Sequence, residues 1–192
     1  MPSIAPHWLK HSLLAVAATA LLAGCAEESP TGPVAERSTV GAGTGQVAVD
    51  LGDCDKLRPP AGSTLVFHVY ARGVQIYRWD GASWTPVGPS AQLFADANSK
   101  ALVGTHYTGP TWKSTSGSTV VGEVIDRCTP DADAIQWLLL RGTRSAGPGV
   151  FKGVTHIQRV NTVGGKAPAE AGTVGQVRET PYTADYFFYR AP

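Results

Sequence analysis

Beyond an apolar stretch near its start, the chain has no window in which apolar residues recur at i, i+3, i+4 and i+7 over a helix length. That absence excludes helical bundles and alternating strand–helix architectures. No run of like charges occurs either, and 16 Lys+Arg face 15 Asp+Glu. Setting residues 1–24 aside removes only Lys10 from the bases and leaves the two signs level. A nucleic-acid partner needs a concentrated basic face, so none is expected. The histidines lack ligand spacing, and no metal or cofactor is expected. No serine sits in a nucleophile elbow and no cysteine lies near a base in sequence, which leaves covalent hydrolysis without support. Gly41-Ala-Gly-Thr-Gly45 looks like a phosphate loop, but Gln46 fills its third glycine position and no strand precedes it.

What is present begins with a processing segment. Leu13–Ala23 is apolar or small throughout and leads into Leu22-Ala23-Gly24-Cys25, which resembles the lipobox of bacterial lipoproteins. The resemblance implies cleavage before Cys25 and a diacylglycerol on its sulfur; the alternative is an ordinary secretory signal with Cys25 incidental. The run falls short of the ~20 residues that a spanning helix needs. The expected organisation is therefore a signal peptide over 1–24, lipidated Cys25 with a flexible tether to 45, and one domain over 46–192. About 20 residues rich in Ala, Glu, Ser, Pro, Thr and Gly span roughly 25 Å, enough to hold a domain clear of a bilayer. The expected location is the bacterial cell envelope, with the membrane as partner through that lipid. Nothing in the sequence indicates an oligomeric state.

The domain reads as strands. Thr64–Ala71 alternates Leu65, Phe67 and Val69 against Val66, His68 and Tyr70, and Val74–Trp79 resumes after Arg72-Gly73. Asp80-Gly81 predicts a hairpin, and Ala82–Val87 returns the strand. Gln92–Ala95, Ala101–Tyr107, Thr111–Ser114, Ser118–Ile125 and Ala134–Arg141 follow, then Val150–Thr162, Val177–Glu179 and Tyr182–Arg190. Ten or so short strands between turn signals mean an all-β antiparallel fold. A two-sheet sandwich or jelly roll is the first expectation and a closed β-barrel the alternative. Outside the cytoplasm an even pair of cysteines forms a disulfide more often than not. Cys54 and Cys128 would close a loop of about 75 residues, worth roughly 4 kcal/mol; the alternative is two buried thiols.

Gly104-Thr-His-Tyr-Thr-Gly-Pro-Thr-Trp112 concentrates specialised side chains. Gly109-Pro110 bends the backbone, which would bring His106 and Trp112 to adjoining strand ends facing one cleft, with Tyr107 alongside. His106 is a candidate general acid or base if Asp185, in the final strand, orients its ring. Alternation puts Arg159 and Asn161 on one face, where a guanidinium beside an amide suits a carboxylate or sugar hydroxyls. The binding reading unites Trp112, His106, Tyr107, Arg159 and Asn161 around a small polar or carbohydrate ligand. The competing readings are an enzyme using His106 with Asp185, and a purely structural envelope protein. Asp131-Ala-Asp133 lacks the remaining ligands of a calcium loop and reads as solvated charge.

Gly73-Val-Gln-Ile-Tyr77, Gly104-Thr-His-Tyr107 with Gly109-Pro-Thr-Trp112, Trp137-Leu-Leu-Leu140, Ile157-Gln-Arg-Val-Asn-Thr162 with Gly164-Gly165, and Tyr182-Thr-Ala-Asp-Tyr-Phe-Phe-Tyr189 together resemble the family called domain of unknown function 3455. The likeness covers about Leu57–Arg190 and implies an exported β-rich domain without an established activity. Members commonly carry a cysteine after the Gln-x-Tyr motif and another before the last strands. Here Trp79 and, approximately, Ala171 stand at those places. Both cysteines are missing together while Cys54 and Cys128 appear elsewhere, which suggests that one disulfide was exchanged for another. Some fungal relatives carry a malate dehydrogenase label, which these residues do not support: no dinucleotide fingerprint follows a strand.

Overall fold

The structure, a computed structural model, describes residues 49–192. The expected cleavage site, Cys25 and the tether lie outside the described residues. Eight strands make up the domain: β1 (Thr64–Trp79), β2 (Trp84–Phe94), β3 (Leu102–Tyr107), β4 (Thr111–Ser114), β5 (Thr119–Cys128), β6 (Trp137–Ala146), β7 (His156–Gly164) and β8 (Val177–Arg190). Each pairs antiparallel with the next, and β8 returns to pair with β1. The all-β antiparallel expectation holds. Of its two forms, the single closed ring is realised rather than two stacked sheets, because β1 is hydrogen-bonded on both sides, to β2 and to β8. Closure removes the free edges that an open sheet would have to protect.

The strands are fewer and longer than expected. Thr64–Ala71 and Val74–Trp79 are one strand, running through Gly73. A Cβ on Gly73 would sit 2.2 Å from the Ser90 carbonyl oxygen, so a glycine there permits β1 and β2 to pack closely rather than interrupting the strand. Pro86 and Pro89 lie in β2 beyond its last pair with β3, Ser90 with Tyr107. Pro181 lies in β8 beyond its last pair with β7, Gly164 with Tyr182. On that side no neighbour awaits an N–H, so proline is tolerated and the strand continues. Asp126–Cys128, expected as loop, extends β5. The stretch Val49–Leu51, ahead of the 3-10 turn at Asp55–Leu57, lies outside the strands.

Inside the ring, Val69, Ala71, Leu93, Val120, Leu140, Ile157, Ala184 and Phe188 form the main core. Outward positions such as Arg72, Gln92, Thr105, Lys113, Glu123 and Arg141 are polar or charged and exposed. One end of the barrel is plugged. Phe151, from the β6–β7 connection, is fully buried against Phe67 and Phe188, and the hydroxyls of Ser114 and Ser118 meet beside it at 2.8 Å.

A second, smaller core lies outside the barrel wall. Leu51, Cys54 and Leu57 from the segment before β1 cover Leu139, Val160, Phe187 and Tyr189. The Gln158 amide donates to the Leu57 carbonyl at 2.6 Å and accepts from the Tyr189 hydroxyl at 2.6 Å. The expected disulfide joins Cys54 to Cys128 with Cα atoms 5.8 Å apart, and so fastens this strap to the end of β5. Trp79 and the neighbourhood of Ala171 are adjacent in space: a Cβ on Gly172 would lie 3.0 Å from that of Trp79. In this chain an indole packs there.

Candidate functional site

The β3–β4 hairpin builds the inner end of the site. Gly109 takes a φ of 87°, which turns the chain at Gly109-Pro110 and pairs His106 directly with Trp112. Their rings stack at 4.2 Å and 7°, and Tyr186 of β8 meets both edge-on. The two side chains share one environment, as the turn predicts, but that environment is the barrel interior and not a rim. His106 is 3% exposed and Trp112 1%. Gly122 makes room for the indole, since a Cβ there would stand 3.0 Å from its ring.

His106 Nδ1 lies 2.9 Å from the Thr111 carbonyl oxygen, and because a carbonyl only accepts, Nδ1 carries the proton. Burial holds the ring's pKa down at about 3, against the opposing pull of that hydrogen bond. The imidazole is therefore neutral at physiological pH and oriented by backbone. Asp185, expected to orient it, faces the other side of the wall. Tyr186 and Ala184 point inward, so the residue between them points out. There Asp185 accepts from Asn161 Nδ2 at 2.8 Å and approaches His68 Nε2 at 4.0 Å. Burial pushes its carboxyl pKa up. The acid–base pair of His106 with Asp185 does not form.

Arg159 and Asn161 also part company. A bulge between Val160 and Val163 interrupts the β7–β8 register, and Asn161 adopts a φ of 50°. The extra residue reverses the alternation, leaving Asn161 outside with Asp185 while Arg159 points into the barrel. Tyr107 is outside as well, 41% exposed. Of the five residues expected around a ligand, the structure brings together His106, Trp112 and Arg159.

These three line a continuous cavity. An inner chamber of about 100 Å³ is bounded by His106, Trp112, Tyr186 and Leu140. It shares Pro89, Pro110, Val124, Leu138 and Arg159 with a wider shaft of about 660 Å³ that opens at the end opposite the Phe151 plug. Arg159 Nε and Nη2 both donate to the Gln136 carbonyl, at 3.1 and 2.8 Å, so the loop between β5 and β6 shapes one side of the mouth. Lys166 donates to the Ala132 carbonyl of the same loop, and Arg127 faces the shaft too. Neither Asp nor Glu lines shaft or chamber.

Sequence reading missed Gln75, Tyr182 and Tyr186. Their signal was spacing: Tyr182 and Tyr186, four apart on one strand, must share a face. Tyr186 and Tyr182 are 1% and 3% exposed. Their hydroxyls, Gln75 Nε2 and Trp112 Nε1 make no hydrogen bond of ordinary geometry among the described residues, although the two phenols, Gln75 and Arg159 lie close enough to perturb one another. Burial raises both phenol pKa values, so the hydroxyls stay protonated and remain donors. No group of three or more His, Cys, Asp or Glu is placed to hold a metal among the described residues.

No curated protein and no solved structure matches the chain. Residues 60–190 match the family described as "Protein of unknown function (DUF3455)", and this span covers all eight strands. The chain belongs to that family.

Proposed function

We propose that this domain is a small-molecule binding module, whose ligand enters the barrel through its open end and rests on the Trp112–His106 floor. The observation that carries this reading is the continuous cavity. A closed eight-stranded barrel has an interior wide enough for side chains or one small ligand. Here the far end is filled by Phe151 while the near end is open, and a volume of about 660 Å³ is typical of ligand sites. The walls are mostly apolar, with a few convergent polar groups, as such sites are. A neutral His106, unable to reach Asp185, favours binding over acid–base chemistry. We further propose that the domain is tethered to the cell envelope by lipid on Cys25. The support for this is the lipobox-like Leu22-Ala23-Gly24-Cys25; the polar outward positions of the strands speak only against the barrel itself turning an apolar band to a membrane.

The test is titration of the purified protein with N-phenylnaphthylamine, a neutral dye that brightens in apolar surroundings. Native protein is expected to bind it saturably, with quenching of tryptophan fluorescence. Val124→Trp, which fills the passage from shaft to chamber, is expected to abolish binding while leaving circular dichroism unchanged. Unchanged binding by a folded Val124→Trp protein contradicts the reading.

A further inference from the structure

Resting on the lumenal reading, we infer that the ligand is a small carboxylic acid with an apolar, ring-bearing body. Its carboxylate would meet Arg159 and its body would descend onto Trp112 and His106. Three cationic side chains, Arg159, Arg127 and Lys166, line the shaft, and none forms an ion pair among the described residues. A guanidinium turned into a protein interior ordinarily has a carboxylate partner. Arg159 gives Nε and Nη2 to the Gln136 carbonyl oxygen and lies beside the Tyr186 hydroxyl; no carboxylate accepts from it, and its remaining N–H groups are left for an anion in the shaft.

The neutral polar groups agree. Trp112 Nε1 and the Tyr186 hydroxyl at the chamber and Gln75 Nε2 at the shaft each carry hydrogens, belong to side chains more than nine-tenths buried, and make no hydrogen bond of ordinary geometry among the described residues. Buried donors of this kind are costly unless something accepts from them. A carboxylate, acceptor-only and bidentate, is the complement of a guanidinium among protonated donors. Below them the stacked Trp112 and His106 rings, with Tyr186 edge-on, offer flat apolar surface that suits a ring. The inner chamber of about 100 Å³ admits one end of such a body.

The experiment displaces bound N-phenylnaphthylamine with naphthoate and, separately, with its neutral counterpart naphthylmethanol. Native protein should release the dye at a naphthoate concentration about tenfold lower than the alcohol requires, the order expected of a charge-assisted contact. Arg159→Gln should erase that preference, read as the ratio of acid to alcohol concentrations that displace half of the dye from the variant itself. Equal displacement by acid and alcohol overturns the inference while leaving the lumenal reading intact. A folded Arg159→Gln protein that keeps the preference overturns the assignment to Arg159. Should that variant not fold, the acid-to-alcohol ratio on native protein decides alone. Failure of native protein to bind the dye removes the lumenal reading, and this inference with it.

Discussion

At the scale of single residues, His106 changes meaning between sequence and structure. Beside a phenol and a Gly-Pro turn it has the look of a catalyst, yet alternation aims it inward, and burial makes its charged form costly. The linkage to stability has a definite sign. With a folded pKa near 3 and an ordinary value of 6.5, the unfolded chain binds the additional proton between those limits. His106 therefore favours the folded state fully above about pH 6.5, and this contribution is lost as pH falls through the window, at most ~1.4 kcal/mol per pH unit. His68 and His156 are shifted the same way, chiefly by burial. Asp185, whose pKa is raised by burial, acts with opposite sign, since its ionisation is easier in the unfolded chain. The His106 share is isolated by difference: urea unfolding of His106→Asn between pH 4 and 7 should show a shallower fall in stability toward acid than the native chain. Parallel pH profiles would mean that His106 takes up its proton over the same pH range in the fold as in the unfolded chain, contrary to this account.

At the scale of elements, strand positions and turns were legible because period-two alternation and Gly, Pro and Asp turn chemistry are local properties. Asp80-Gly81 closes a hairpin as expected, with Asp80 accepting from the amides of Ala82 and Ser83 in a four-residue loop rather than a two-residue turn. What alternation could not supply were the bulges. Register shifts near Ile125 and between Val160 and Val163 reverse which face a side chain takes. They send Arg127 into the shaft and separate Arg159 from Asn161. A bulge depends on the partner strand, which the local sequence does not name. The cysteine pair was legible by count and compartment, and its consequence lies in the strap it secures. The double substitution Cys54→Ser, Cys128→Ser is expected to lower unfolding free energy by about 2–4 kcal/mol. It should also shift fluorescence as Trp137, packed against the outer core, meets solvent. Dye binding should persist, because the lumen lies on the other side of the wall. Unchanged stability in denaturant would show that Leu51 and Leu57 hold the strap without the covalent link.

At the scale of the whole molecule, closure converts scattered signals into one site. Trp112, His106, Arg159, Tyr182 and Tyr186 come from four strands and meet only because β8 returns to β1. That return was the least legible feature, since strand pairing across more than a hundred residues has no local signature. It also explains why a glycine-rich chain suits this fold: where strands cross tightly, as at Gly73, a side chain would collide with the neighbouring backbone. The central claim is that the lumen, and not the outer surface, receives the ligand. The most direct measurement is nuclear Overhauser contact between bound N-phenylnaphthylamine and assigned protons of the protein. The account predicts cross-peaks to the Trp112 ring and the Val124 methyls. Cross-peaks confined to exposed apolar residues of the outer face, such as Tyr107 and Val163, would contradict it.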